Sequence, residues 1–254
     1  MLELIKISIQ KRPEKKVVVR QLSKVKSVLY HLYPGVLIAL CFTIITPLLA
    51  KHGYPPQLGS LIAIIFVAIP LLLLHLSQAR KREHRKNIWE LNLYKNKLST
   101  RKLILYSLSL VIFMFLIWGI TQPLDKIITC RFFNWLPRWY TVQDFKGYST
   151  ETIQLTLVLN LLLNGFIGPF IEELYFRGYL LSRMTAWGKW SSVVNTILFS
   201  LYHLWQPYVY PTLIIALLPM IYLVWKTKDL RLAILTHCLL NIVGALLSFG
   251  LVLK

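Results

Sequence analysis

The chain has 254 residues, of which 56% are hydrophobic and only 15% are charged. Soluble proteins average about 45–50% apolar and about 25% charged residues, so this composition excludes an ordinary soluble domain. The apolar residues lie in runs of about 20, the length that crosses a hydrocarbon core of about 30 Å. These runs are continuous rather than alternating, which excludes a membrane β-barrel. We therefore predict an all-α, polytopic transmembrane helical bundle.

The net charge of +19 would suit nucleic-acid binding in a soluble protein. In a membrane protein, however, basic loops orient the helices and meet anionic lipid headgroups. We therefore predict membrane lipids, and no nucleic acid, as partners. The cysteines Cys41, Cys130 and Cys238 have no metal-ligand spacing and do not indicate a disulfide framework.

The N-terminal part of the chain predicts membrane anchoring. A basic cytoplasmic tail, residues 1–26, precedes a segment of N-terminal membrane helices, residues 27–149, with apolar spans at 27–50, 58–78 and 103–122. A basic linker at 79–102 separates the second span from the third. The loop at 123–152 is rich in aromatic rings, which is typical of a segment at the membrane surface; a substrate-binding loop is the alternative.

The C-terminal part, residues 150–254, is predicted to be the catalytic helical core. Its apolar runs predict spans at 152–174, 191–206, 211–226 and 231–253. Residues 177–189 are amphipathic, and three interpretations stay open for them: a continuation of the preceding helix, a re-entrant piece, or a surface helix. The total is about 7–8 membrane helices.

The distribution of basic residues predicts the orientation in the membrane. If the N-terminus is cytoplasmic, 23 of the 29 Lys and Arg residues fall on the cytoplasmic side. This asymmetry satisfies the positive-inside rule. It predicts a multi-pass protein of the cell membrane, with the Glu172 end of the fourth span on the cytoplasmic side.

Two adjacent carboxylates, Glu172 and Glu173, follow an apolar run, 153–171, without a charged residue. A carboxylate within a span costs about 2.5–3.5 kcal/mol on insertion scales, so it is a candidate functional residue by default. Arg177 follows Glu173 by four residues and lies on the same helical face. Glu172 is rotated by about 100° from Glu173. We predict that Glu173 pairs with Arg177 while Glu172 points elsewhere.

Two later pairs have the same spacing of four residues, Phe199 with His203 and His237 with Asn241. The polar members of these pairs are the predicted partners of Glu172. The alternative for His237 and Asn241 is hydrogen bonding that only holds helices together, and His203 can likewise be a purely structural residue. The remaining histidines are predicted to be interfacial or solvated, without a chemical role: His31, His52, His75 and His84.

A carboxylate, two imidazoles and an amide, with no placed Ser or Cys nucleophile, indicate activation of water. Glu172 is the candidate general base, and His and Asn donors can stabilise the oxyanion of a tetrahedral intermediate. The alternative is a metal site in which Glu172, His203 and His237 hold zinc with one open position. The sequence contains no HExxH motif, and it leaves both mechanisms open.

Three motifs together resemble the CAAX prenyl protease type II and bacteriocin-processing family of intramembrane proteases. They are Glu172-Glu173-x-x-x-Arg177, Phe199-x-x-x-His203 and His237-x-x-x-Asn241, in this order on successive apolar segments. Pro169 and Gly178 also fit the family's pattern. The resemblance covers residues 150–250 and leaves out the first three spans.

The resemblance implies an intramembrane endopeptidase that hydrolyses peptide bonds of a membrane-associated protein or peptide. It implies that Glu172 activates the hydrolytic water with the help of His203, and that His237 and Asn241 hold the oxyanion or help to position the water. Glu173 and Arg177 would organise the site, with Phe199 packed beside His203. Family members have been described both as metalloproteases and as metal-independent glutamate proteases. The cofactor is thus none or a divalent metal such as zinc, and we favour the metal-independent mechanism.

Two other functions compete with the protease. The first is a non-catalytic immunity or scaffold protein of the same fold, as in bacteriocin self-immunity. The second is a transporter, but its binding site is expected near the membrane midplane, whereas the polar residues here cluster towards one end of their spans.

Overall fold

The computed structural model describes residues 17–141, 145 and 147–252. Residues 1–16 of the predicted basic tail, residues 142–144 and 146 of the aromatic loop, and residues 253–254 lie outside this description. The described chain is helical and contains no strand, only an isolated bridge between Lys95 and Asp229. This confirms the all-α prediction.

Seven main helices form in the described residues. They are α1 (Lys24–Lys51), α2 (Pro56–Arg82), α3 (Thr100–Phe132), α4 (Thr150–Arg183), α5 (Ser191–Tyr202), α6 (Tyr210–Thr227) and α7 (Leu230–Val252). Six of them, all except α5, are long and apolar enough to cross a membrane. The protein is therefore a multi-pass membrane protein, as predicted.

The number of membrane-crossing helices is lower than the expected 7–8, and α5 accounts for the difference. The apolar run at 191–206 predicted a span, but α5 has only 12 residues. Such a helix is about 18 Å long and too short for a hydrocarbon core of about 30 Å. It ends at Tyr202 because the backbone leaves helical geometry at His203.

Residues 177–189 do not form a separate crossing. Helix α4 continues through Arg177 and ends at Arg183, after which a short 3₁₀ segment that is kinked at Gly188, Thr185–Trp190, leads to α5. Gly188 in this turn has φ +52°, a left-handed conformation that glycine adopts without steric cost. Of the three interpretations, continuation of the helix is the one observed.

Local capping explains several helix boundaries. The side chain of Ser23 accepts a hydrogen bond from the backbone N–H of Lys26 at the start of α1, and Ser149 does the same for Thr152 at the start of α4. Such caps satisfy N–H groups that have no partner within the helix. At the other end, Lys228 in the left-handed region terminates α6.

Three π-helical turns interrupt the long helices near the core, one in α2 (Ile64–Ala68) and two in α4 (Leu163–Ile167 and Leu174–Leu180). The last of these turns is fully buried and lies in the main apolar core with Tyr175 and Phe176. Helix α1 packs against α2 and α5, and α7 packs against α4. The turn after Glu172 and Glu173 is thus surrounded by helices from both halves of the chain.

The basic linker between α2 and α3 is fixed to the C-terminal half at two places. Arg183 donates two 2.8 Å hydrogen bonds to the carboxylate of Glu83 and a 2.6 Å bond to the carbonyl of Leu91. Further along, Asp229 accepts a 2.7 Å bond from the backbone N–H of Leu98. The linker therefore ties the end of α4 to the turn between α6 and α7.

Candidate active site

Glu173 lies at the centre of a buried charged cluster. Its side chain is fully buried, and its Oε1 accepts a 2.8 Å hydrogen bond from Nδ1 of His237 on α7. The same oxygen lies 3.1 Å from Nη1 of Arg177, one turn further along α4. A buried carboxylate is tolerable when it is paired with a cation and hydrogen-bonded, and Glu173 has both kinds of partner.

Arg177 is fully buried and stacks on an aromatic ring. Its guanidinium carbon lies 3.8 Å from the ring centroid of Phe199 on α5, which is favourable cation–π geometry. The same ring contacts His203 at 4.9 Å and His237 at 6.3 Å between centroids. Phe199 therefore touches the arginine and both imidazoles, a wider role than the expected packing beside His203 alone.

Glu172 faces a different part of the bundle. It is half-buried, and its Oε1 accepts a 3.0 Å hydrogen bond from the hydroxyl of Tyr202, the last residue of α5. Its carboxylate lies within electrostatic range of His237, Glu173 and Arg177. No hydrogen bond joins it to His203, His237 or Asn241 among the contacts of the described residues.

A small cavity adjoins Glu172 between α2 and α4. Its volume is about 20 Å³, and a single water needs about 10–15 Å³. Apolar residues of both helices line it, together with Glu172 and Asn164 as polar members: Ile64, Ala68, Ile69, Leu72, Gly168, Pro169 and Ile171. The cavity is thus large enough for one water molecule beside the carboxylate.

His203 and Asn241 are held by backbone carbonyl groups. Nδ1 of His203 donates a 2.9 Å hydrogen bond to the carbonyl of Phe199, so Nε2 is the ring nitrogen that remains for chemistry. The side-chain amide of Asn241 donates a 2.7 Å bond to the carbonyl of Asn164 in a π turn of α4. Asn164 lines the cavity, so Asn241 reaches the site through this residue.

The arrangement differs from the expected one in which three polar residues meet Glu172 directly. His237 hydrogen-bonds Glu173 instead, because the two glutamates are rotated by about 100° around the helix. This rotation turns Glu173 towards α7 and Glu172 towards the end of α5. Tyr202, the residue that does hydrogen-bond Glu172, was missed by the sequence analysis. The only signal for it is a phenol within an apolar run, since a buried hydroxyl needs a partner.

Two of the four histidines predicted to be interfacial or solvated are packed against other helices. His31 on α1 is fully buried and hydrogen-bonded to Asn195 on α5 at 2.8 Å. Nδ1 of His75 on α2 lies 2.8 Å from the hydroxyl of Tyr33, and its ring is packed among tyrosines. His52 and His84 are exposed, as expected.

The side chains do not fit the zinc alternative. A catalytic zinc site needs three protein ligands around one point. Among the described residues, no three His, Cys, Asp or Glu side chains are placed to hold a metal ion. We therefore derive no step through a metal.

The segment that carries these residues matches a known family. Residues 154–243 match the family described as type II CAAX prenyl endopeptidase, Rce1-like. The family resemblance is confirmed. The Rce1-like segment runs from α4 to α7 and includes all three motifs. No curated protein and no solved structure matches the chain.

Proposed function

We propose that the protein is an intramembrane endopeptidase that hydrolyses a peptide bond of a membrane-associated protein or peptide by glutamate-activated water. The observation that carries this proposal is the position of Glu172. Its carboxylate is held by Tyr202 and borders a cavity of about 20 Å³, the size of one water. The Rce1-like match supports the same reaction class.

In the proposed reaction, Glu172 removes a proton from the water as it attacks the carbonyl carbon of the substrate peptide. The proton then passes from Glu172 to the nitrogen of the leaving amine, and the C–N bond breaks. A positioned carboxylate of this kind contributes about 10²–10⁴-fold to the rate. Tyr202 holds the carboxylate in place through its 3.0 Å hydrogen bond.

The other polar residues are assigned to the oxyanion and to its support. In its imidazolium form, His237 donates through Nδ1 to Glu173 and through Nε2 to the carbonyl oxygen of the substrate as negative charge develops on it. His203 assists the water, and Asn241 completes the polar surface beside Asn164. Arg177 and Phe199 fix Glu173 and the two imidazoles relative to each other.

The proposed substrate is reached from the cytoplasmic face. The excess of basic residues in the linker and tail favours that side for this end of α4 by the positive-inside rule. The substrate then needs a membrane-anchored segment that brings its scissile bond to Glu172. A peptide or membrane protein satisfies this condition.

The test compares cells that express the full chain with cells that express Glu172→Gln. New peptide termini in the membrane fraction are identified by mass spectrometry. We expect termini that depend on the protein and disappear in Glu172→Gln, while the abundance of the protein in the membrane is unchanged. Glu151→Gln is the matched control, because Glu151 is an exposed carboxylate at the opposite end of the same helix.

Termini that persist in Glu172→Gln would contradict the glutamate mechanism. A biological effect that survives this substitution without any dependent terminus would instead support the non-catalytic immunity or scaffold protein.

A further inference from the structure

Helix α1 lies outside the Rce1-like segment but touches it at Tyr202. A Cβ atom added at Gly35 would overlap the backbone oxygen of Tyr202 and lie 2.9 Å from its carbonyl carbon. The obstacle is backbone, so it cannot move aside as a flexible side chain can. Only glycine at position 35 allows α1 and the end of α5 to approach this closely.

The close approach bears on the site because Tyr202 is the residue that holds Glu172. Its side chain is fully buried and its hydroxyl donates to the Glu172 carboxylate at 3.0 Å. A shift of the α5 end away from α1 would move this hydroxyl relative to the carboxylate. Gly35 therefore determines the distance between the Tyr202 hydroxyl and the Glu172 carboxylate.

A second contact from α1 reaches the site through buried hydrogen bonds. Nδ1 of His31 donates to the carbonyl of Ser27 at 2.7 Å, which leaves Nε2 as an acceptor. The side-chain amide of Asn195 on α5 donates to this Nε2 at 2.8 Å and to the carbonyl of Phe176 at 3.1 Å. One amide group thus links α1, α5 and the buried π turn of α4.

The carbonyl of Phe176 does not need this bond to be satisfied. It already accepts the backbone N–H of Leu181 at the end of the π turn. The bond from Asn195 instead fixes the position of Phe176, whose ring lies 4.8 Å from Phe199 and 4.8 Å from Tyr202. Phe176 directly precedes Arg177, so a displacement here reaches the ion pair with Glu173.

We propose that Gly35 and His31 are positioning residues of the site, so that α1 is a functional part of the protease rather than only an anchor. Gly35 sets the position of Tyr202, and His31 sets the position of Phe176 through Asn195. This inference rests on the proposed function, because the side chains that the two residues position surround Glu172, the proposed general base.

The first test is Gly35→Ala in the purified full-length protein. The probe is a quenched fluorescent peptide that ends in a farnesylated CaaX sequence. We expect kcat to fall roughly 10- to 100-fold, since small displacements of reacting groups have effects of this size. KM should stay within about twofold, because the displaced groups act in the transition state. Gly119→Ala is the matched control: it also replaces a helical glycine in a span, and its added Cβ has no neighbour within 4 Å.

The second test is the double variant His31→Leu with Asn195→Leu. Replacing both hydrogen-bonding partners by apolar groups of similar shape is nearly neutral for stability. The variant should therefore fold and unfold like wild type while losing kcat. Wild-type kcat in both Gly35→Ala and the double variant would overturn the proposal.

A measurement that needs no catalysis separates this inference from the proposed function. Amide hydrogen exchange of residues 199–206 is compared between Gly35→Ala and Gly119→Ala. Faster exchange only in Gly35→Ala supports the positioning of Tyr202, and equal exchange overturns it. If the wild-type protein does not cleave the peptide, a prenylated peptide is not its substrate. The amide hydrogen-exchange comparison still decides the role of α1.

Discussion

Glu172 and Glu173 are neighbours in the chain but have different surroundings in the bundle. Glu173 is fully buried, hydrogen-bonded to His237 and paired with Arg177. Removing one partner of such a buried pair typically costs about 3–5 kcal/mol, so variants of Glu173 change stability and chemistry together. Within the described part of the chain, Glu172 has a single hydrogen bond, from Tyr202, which makes Tyr202 the more informative residue to change.

Tyr202→Phe is expected to lower kcat/KM roughly 10- to 150-fold, because a hydrogen bond to a charged group contributes about 1.5–3 kcal/mol. The ring contacts with Phe176 and Phe199 are kept, so the unfolding temperature should stay near that of wild type. The rate is measured with the quenched farnesylated peptide. Tyr222→Phe, at an exposed position on α6, is the control. A Tyr202→Phe variant as fast as this control would show that the phenol does not position Glu172.

The π turns and the linker determine how the helices pack against one another. π turns widen a helix locally and are frequent at functional sites. The turns Ile64–Ala68 and Leu163–Ile167 face each other across the cavity beside Glu172. At the surface, Asp229 in the turn between α6 and α7 holds the linker through Leu98 and is itself held by Arg231. The two α-helical halves are therefore joined by specific polar contacts as well as by apolar packing.

The pH dependence of stability follows from the surroundings of Asp229. Burial alone would raise the pKa of this carboxyl, but hydrogen bonds from the Arg231 side chain and from the backbone N–H groups of Leu98 and Arg231 hold the pKa below its ordinary value. The ionised form thus stabilises the fold at any pH above the unfolded-state pKa of about 3.9. This contribution is lost as the pH falls through the lowered pKa of the folded state.

Asp229→Asn is expected to reduce the free energy of unfolding by about 1–3 kcal/mol near pH 7, because it weakens charge-assisted hydrogen bonds. The difference from wild type should shrink when the pH falls below about 4. Thermal unfolding in detergent, followed over this pH range, checks both statements. Glu90→Gln is the control, since the hydrogen bonds of the Glu90 carboxylate to described residues go to its linker neighbours Lys86 and Asn87. If the difference in the free energy of unfolding between wild type and Asp229→Asn does not depend on pH, the stabilising role given to the charge of Asp229 is wrong.

In the whole molecule, the first two helices contribute to the surroundings of Glu172. Residues of α2 line the cavity beside Glu172, and α1 contacts Tyr202 through Gly35. The Rce1-like match begins only at residue 154, so these contributions come from outside the matched segment. The orientation of the bundle, with the linker on the cytoplasmic side, remains a prediction from the distribution of basic residues.

This orientation can be tested with the native cysteines. Cys130 at the end of α3 is exposed, and the positive-inside rule places it on the outer side. We expect a membrane-impermeant maleimide to label Cys130 in intact cells and to leave Cys130→Ser unlabelled. In the Cys130→Ser background, Lys86→Cys in the linker should react only after the membrane is opened. Labelling of Lys86→Cys in intact cells would invert the orientation.

The class of the protein and the identity of the candidate residues could be predicted from the sequence. Runs of about 20 apolar residues must be helical in a membrane, because every backbone polar group needs a partner within the segment. Spacing of four residues also predicted the pairing of Glu173 with Arg177, since that contact is local. The three motifs predicted the family.

Which side chains meet across helices could be seen only in the three-dimensional structure. In helices that are apolar on all sides, periodicity does not tell which face turns towards which neighbour. The contact of Glu172 with Tyr202, the contact of His237 with Glu173, and the burial of His31 depend on that rotation. The length of α5 could likewise not be predicted from the sequence, because apolar residues continue past Tyr202 while the helical backbone ends there.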